Sequence, residues 1–154
     1  MPLEVGKPVP EFETIDESGN VISHEDLLGC ASVIYFYPKD GTSFCTKEAC
    51  DFRDNMHALD NEGIVVLGIS PDDAASHRQF ADQHMLNFSL IPDPKKELCR
   101  LFKVMKKGAD GSETLERTTF IVDDKGIIRW IERPVEVEGH VHRVLKAIDS
   151  LKLG

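Results

Sequence analysis

Seven residues, Ala31 to Tyr37 (ASVIYFY), form a near-continuous apolar run that stops at Pro38. A strand with one wet face would alternate apolar and polar residues. This one does not, so it needs cover on both faces. A second such run, Ile64 to Ile69 (IVVLGI), is closed by Ser70-Pro71. Between them, Ala49, Phe52, Met56 and Leu59 recur at spacings of three and four, the apolar stripe of a helix packed on a core. Buried strands separated by amphipathic helices are the signature of an α/β architecture.

The remaining segments fit that reading. Glu13-Thr14-Ile15 and Asn20-Val21-Ile22 flank Glu17-Ser18-Gly19 as a hairpin. Ser23 is positioned to cap a short helix, His24 to Leu28, ended by Gly29. After Ser70-Pro71, Asp72 is expected to cap a helix from Ala74 to His84. Ser89 to Ile91 reads as a strand and Lys95 to Phe102 as a helix. Lys106 to Glu113 is polar and glycine-containing, a surface loop. Thr118 to Val122 and Ile127 to Glu132 are strands joined by the turn Asp123-Asp124-Lys125-Gly126. After a loop, 134–139, the pattern His140 to Leu151 closes as an amphipathic helix. No repeat or composition shift divides the chain, so residues 1–154 read as a single domain.

Charge and cysteine usage narrow the function. Lys plus Arg is 18 and Asp plus Glu is 27, so 18 − 27 gives a net charge of −9 with no basic cluster. That argues against nucleic acid or an anionic membrane as partner. No apolar run approaches the roughly 18 residues of a membrane span, and the opening MPLEVGKPVPEF lacks a basic head with an apolar stretch. A cytoplasmic location follows as the expectation. In that compartment four cysteines point to catalysis, redox sensing or metal binding rather than structural disulfides. The cysteines and histidines do not form two ligand pairs at zinc spacing, so no metal is expected.

Cys45 is the cysteine with chemistry in reach. Pro38 stops the strand, Lys39-Asp40-Gly41 make a turn, and a helix is expected from Thr46, with Cys45 in its first turn. Unpaired backbone N–H groups and the positive end of the helix dipole favour a thiolate there. Lys39 and Asp40 read as solvated turn residues and Glu48 as a helix-dipole residue. The scattered histidines receive no role.

Pro38, Thr42 and Cys45 are spaced P-x-x-x-T-x-x-C, and the run YFYPKDGTSFCTKEAC resembles the peroxiredoxins, most closely the peroxiredoxin Q or bacterioferritin-comigratory branch. The resemblance spans nearly the whole chain, from Gly6-Lys7-Pro8-Val9-Pro10-Glu11-Phe12 to the terminal helix. It implies a thioredoxin-like fold, a central mixed β-sheet flanked by helices, which the element order also suits. It implies that Cys45 attacks a hydroperoxide, that Thr42 hydrogen-bonds the peroxide, and that Pro38 shields the thiolate. Arg117, in the run RTTFIV, matches the family's supporting arginine. On residue type alone Arg117 could be a solvated strand-edge arginine and Thr42 a turn residue. The resemblance implies no metal, haem or flavin, a thioredoxin-type dithiol as reductant, and a monomer, with dimers open. One departure is Ser43-Phe44, where the branch usually has Pro-Gly; Phe44 adds bulk beside the nucleophile.

Some members of the branch carry the resolving cysteine at the spacing of Cys50. Positions i and i+5 of an intact helix lie about 8–9 Å apart between Cα atoms, beyond the ~7 Å a disulfide tolerates. If Cys50 resolves, the turns around Cys45 must unwind. Cys99 competes for that role, and Cys30, after a helix-ending glycine, reads as structural. Two other readings share this expected fold: a thiol–disulfide oxidoreductase, although no C-x-x-C is present, and a redox-sensing binding protein.

Overall fold

The computed structural model describes residues 2–153. The central sheet contains β3 (Ser32–Phe36), β4 (Val65–Ser70), β5 (Ser89–Pro92), β8 (Thr118–Val122) and β9 (Ile128–Glu132) in the order β5-β4-β3-β8-β9. β3, β4 and β5 run parallel, and β8 and β9 are antiparallel to their neighbours, so the sheet is mixed. Around it lie β1 (Glu13–Ile15), β2 (Val21–Ser23), the 3-10 turn His24–Leu27, α1 (Ser43–Asn61), α2 (Ala74–His84), α3 (Glu97–Leu101), β6 (Met105–Lys107), β7 (Glu113–Leu115) and α4 (His140–Leu151). None of the described helices is long and apolar enough to cross a membrane.

β3 lies in the middle with every residue buried, as its unbroken apolar run requires. Because strand side chains alternate, Val33 and Tyr35 enter one core and Ile34 and Phe36 the other. The first core holds Cys45, Ala49, Phe52, Met56 and Leu59 of α1 with Val141, Val144 and Ile148 of α4. The second holds Leu98, Cys99 and Phe102 against Leu67, Ile69 and Phe120. Cys45 and Cys99 are therefore on opposite sides of the sheet. α1 is seated by aromatic stacking, Tyr35 on Phe52 at 4.7 Å between centroids. Gly68 of β4 makes room for that stack, since a Cβ there would meet Tyr35 Cζ and Oη at 2.9 Å.

Several local expectations are corrected. α1 begins at Ser43 rather than Thr46, with Thr42 as the extended N-cap residue. Asp73, not Asp72, caps α2 by accepting from Ser76 N–H at 2.8 Å. α3 starts only at Glu97, because Lys96 ahead of it is left-handed at φ 60°, and Asp93 accepts the amides of Leu98 and Cys99 at 3.1 and 2.9 Å. The short helix expected at His24 is a 3-10 helix ending at Leu27. The expected loop 106–113 keeps its turn at 108–112, but its ends belong to the β6–β7 ribbon, whose mostly exposed three-residue strands leave no burial period to read. Cys30, read from sequence as structural, is exposed.

Candidate active site

The site forms where β3 ends and α1 begins. Tyr37, still buried, leads into Pro38, which is exposed, and the chain turns through Gly41 at φ 82° before entering α1. This turn is not a loosely solvated one. The Asp40 side chain, 5% exposed, accepts from Tyr37 Oη at 2.6 Å and Ser76 Oγ at 2.9 Å, and lies 2.6 Å from His77 Nδ1. The Asp40 amide donates to Asp72 Oδ2 at 2.8 Å, and Ser70 Oγ donates to the same oxygen. His77 Nε2 faces the Ile91 carbonyl at 3.1 Å and must donate to it, so a further proton is held between His77 and Asp40. Asp40, Asp72 and His77 offer ligand-type atoms within 4.8 Å of one another, but those atoms are engaged in this hydrogen-bond network. Burial pushes the Tyr37 phenol well above its ordinary value, so it serves as a donor.

Cys45 is the third residue of α1 and 1% exposed. The first bond inside the helix runs from Thr46 N–H to the Thr42 carbonyl at 2.8 Å, so the amides ahead of it are free of intrahelical partners. Arg117, immediately before β8, places Nη2 2.9 Å from Cys45 Sγ. A guanidinium and a helix N-terminus together form the surroundings that favour a thiolate. Thr42 Oγ1 donates to the Lys39 carbonyl at 3.1 Å and hydrogen-bonds to neither Cys45 nor Arg117. Cys50 lies on the same unbroken helix, half-buried. Cys99 is buried across the sheet, where desolvation, with Asp93 beside it, pushes its thiol well up. Phe44, 66% exposed, forms with Arg117, Val135, Glu136, Val137 and Glu138 a cleft of about 370 Å³.

Residues 5–131 match the AhpC/TSA family. The chain is 41% identical to a bcp peroxiredoxin of Coxiella burnetii, over 94% of this chain and 98% of that protein. It is 36% identical to peroxiredoxin Bcp of Bacillus subtilis, over 98% of each. A solved structure of the Xanthomonas campestris bacterioferritin comigratory protein superposes with a TM-score of 0.86 at 33% identity, covering 90% of each chain. The chain belongs to the AhpC/TSA family. Within it, the relatives are peroxiredoxins of the Bcp and Q type, and the thioredoxin-like fold and peroxidase class follow.

In this peroxiredoxin, Cys45 and Arg117 are in contact, Thr42 is the N-cap residue of the Cys45 helix, Pro38 lies upstream in the same turn, and Cys50 is held apart by intact helix. Two residues in the site carry more than the sequence reading gave them. Glu48 is not a surface dipole residue: it is 1% exposed and lies 3.3 Å from Arg117 Nη1. His140, with no role assigned from sequence, is fully buried beside Glu48. A signal existed for both. Glu48 falls beside Ala49 and Phe52 on the apolar stripe of α1, and His140 lies four residues before Val144 on that of α4. A charged or titratable residue on a core face needs a buried partner.

Proposed function

We propose that this chain, acting as one domain over residues 1–154, is a thiol peroxidase in which Cys45 is the nucleophile and Cys50 the resolving thiol. The observation that carries this reading is the Arg117 guanidinium 2.9 Å from the Cys45 sulfur at the first turn of α1. The Cys45 thiolate attacks one peroxide oxygen of ROOH; an S–O bond forms and the O–O bond breaks. The sulfur is oxidised to a sulfenic acid, and RO⁻ leaves and takes up a proton as ROH. Arg117, with two donor nitrogens in this site, stabilises the charge as it moves from sulfur to the departing oxygen. Thr42, released from the Lys39 carbonyl, can donate to the peroxide and accept from it. Pro38 has no N–H and covers the approach without competing as a donor. The Cys50 thiol then attacks the sulfenic sulfur, forming a disulfide and water. An external dithiol protein, thioredoxin by family, reduces that disulfide by exchange.

Phe44, Val135 and Val137 give the cleft an apolar lining suited to alkyl hydroperoxides alongside hydrogen peroxide. The alkyl peroxide reduction described for the Xanthomonas protein supports that choice. We place the enzyme in the cytoplasm as a monomer. Stopped-flow oxidation of the reduced protein tests the reading. Rapid metal-free consumption of peroxide, lost in Cys45→Ser and followed by a Cys45–Cys50 disulfide in peptide mapping, is expected. Turnover surviving in Cys45→Ser, or efficient disulfide reduction with slow peroxide reaction, overturns it.

A further inference from the structure

The Glu48 carboxylate bridges two buried groups. Its Oε1 lies 3.3 Å from Arg117 Nη1 and its Oε2 lies 3.0 Å from His140 Nδ1. The ring N–H is not aimed along that second line, and among the described residues neither Oε2 nor Nδ1 has a directed hydrogen-bond partner. Left unmatched out of water, these two atoms 3.0 Å apart would be costly, and a small rotation of the ring would let a hydrogen on one of them point at the other. On the far side of the ring, Thr119 Oγ1 lies 2.9 Å from Nε2 and can donate to it, which leaves the hydrogen on Nδ1 for Glu48. Phe52 packs edge-on to the ring at 5.6 Å.

The groups facing this pair are Cys45 of α1, Arg117 and Thr119 on the β8 side, and Tyr35 of β3. Burial, then the charges of Glu48 and Cys45, keep the Tyr35 phenol un-ionised. Arg117 is thus, among the described residues, the cation shared by two buried groups, the Cys45 thiolate of the proposed mechanism and the Glu48 carboxylate. A carboxylate with its second oxygen unmatched would compete with the sulfur for the guanidinium.

Building on the reading of Cys45 as nucleophile, we propose that His140 is a positioning residue: by matching the second oxygen of Glu48 it leaves Arg117 aimed at the Cys45 sulfur. His140 touches neither peroxide nor sulfur; it acts through Glu48.

The test measures the second-order rate of Cys45 oxidation by hydrogen peroxide and the pH profile of Cys45 alkylation by iodoacetamide. The variants are His140→Leu, His140→Asn and His140→Gln, each also in a Glu48→Gln background. His140→Leu should slow oxidation about tenfold, within the range for directly coupled residues, and move the alkylation profile to higher pH. His140→Asn keeps an N–H near the Nδ1 position and should recover most of the loss. His140→Gln keeps one only near Nε2, facing Thr119, and should not. In Glu48→Gln the His140 substitutions should have little further effect. Equal losses in the Asn and Gln variants, no loss in His140→Leu, or effects that simply add in the Glu48→Gln background overturn the proposal. Should His140→Leu fail to fold, the Asn and Gln pair decides alone. Failure of the underlying reading shows separately, as slow Cys45 oxidation in the unsubstituted protein.

Discussion

Disulfide formation between Cys45 and Cys50 should melt a defined part of α1. In the reduced protein the helix runs unbroken from Ser43 to Asn61 through both thiols. Positions five apart on it are about 8–9 Å from Cα to Cα, too far for an S–S bond. The first helical bond is donated by Thr46, so at least the five bonds donated by residues 46 to 50 must be given up. At about 0.5–1.5 kcal/mol net each, opening costs about 2.5–7.5 kcal/mol, which corresponds to exchange protection on the order of 10² to 10⁵. Glu48 leaving its two partners and Ala49 leaving the core move the figure toward the upper end. Hydrogen–deuterium exchange of the reduced and peroxide-oxidised protein should show residues 46–50 losing that protection. Amides from Asn55 to Leu59 should keep theirs, because their acceptors, from Asp51 onward, stay helical behind Phe52, which remains stacked on Tyr35. A mapped Cys45–Cys50 disulfide with residues 46–50 still protected would refute the reasoning.

Other perturbations have equally definite outcomes. Arg117→Ala should slow peroxide reduction severely, and Arg117→Lys should recover only part of the rate in stopped flow, since lysine keeps the charge but not the planar pair of donors. Cys99→Ala should leave the disulfide map of the oxidised protein unchanged, because the sheet separates Cys99 from Cys45. Gly68→Ala should lower stability by about 1–3 kcal/mol through overpacking against Tyr35. Part of that loss should return in a Tyr35→Phe background, where the crowding hydroxyl, unpartnered in the core, is gone. Arg133 holds Glu116 below the usual carboxylate range. The resulting stabilisation is complete above an unfolded glutamate's value of about 4.3 and is lost as pH falls through the lowered folded value. Arg133→Gln should therefore flatten the acid limb of denaturation curves below about pH 4.

The sequence by itself determined the elements whose side chains meet a single demand. The apolar run at β3 required cover on both faces, and the stripe Ala49, Phe52, Met56 and Leu59 required a sheet to cover it. The predicted bounds of α2 and α4 agree with the structure because the apolar period runs the length of each, although α2 is capped by Asp73 rather than Asp72. Pro38, Thr42, Cys45 and Arg117 were legible through family resemblance, which carries information that spacing alone lacks. What only the tertiary structure decided is where polar groups find their partners. Asp40 looked like a turn residue, Glu48 a helix-end charge and His140 a scattered histidine, since a local window cannot show a partner many positions away. Arg117 is 69 residues from Glu48, and His77 is 37 from Asp40. A buried charge is tolerable only when matched, and the match is made by the fold, which brings α1, β8 and α4 to one point beneath the thiol.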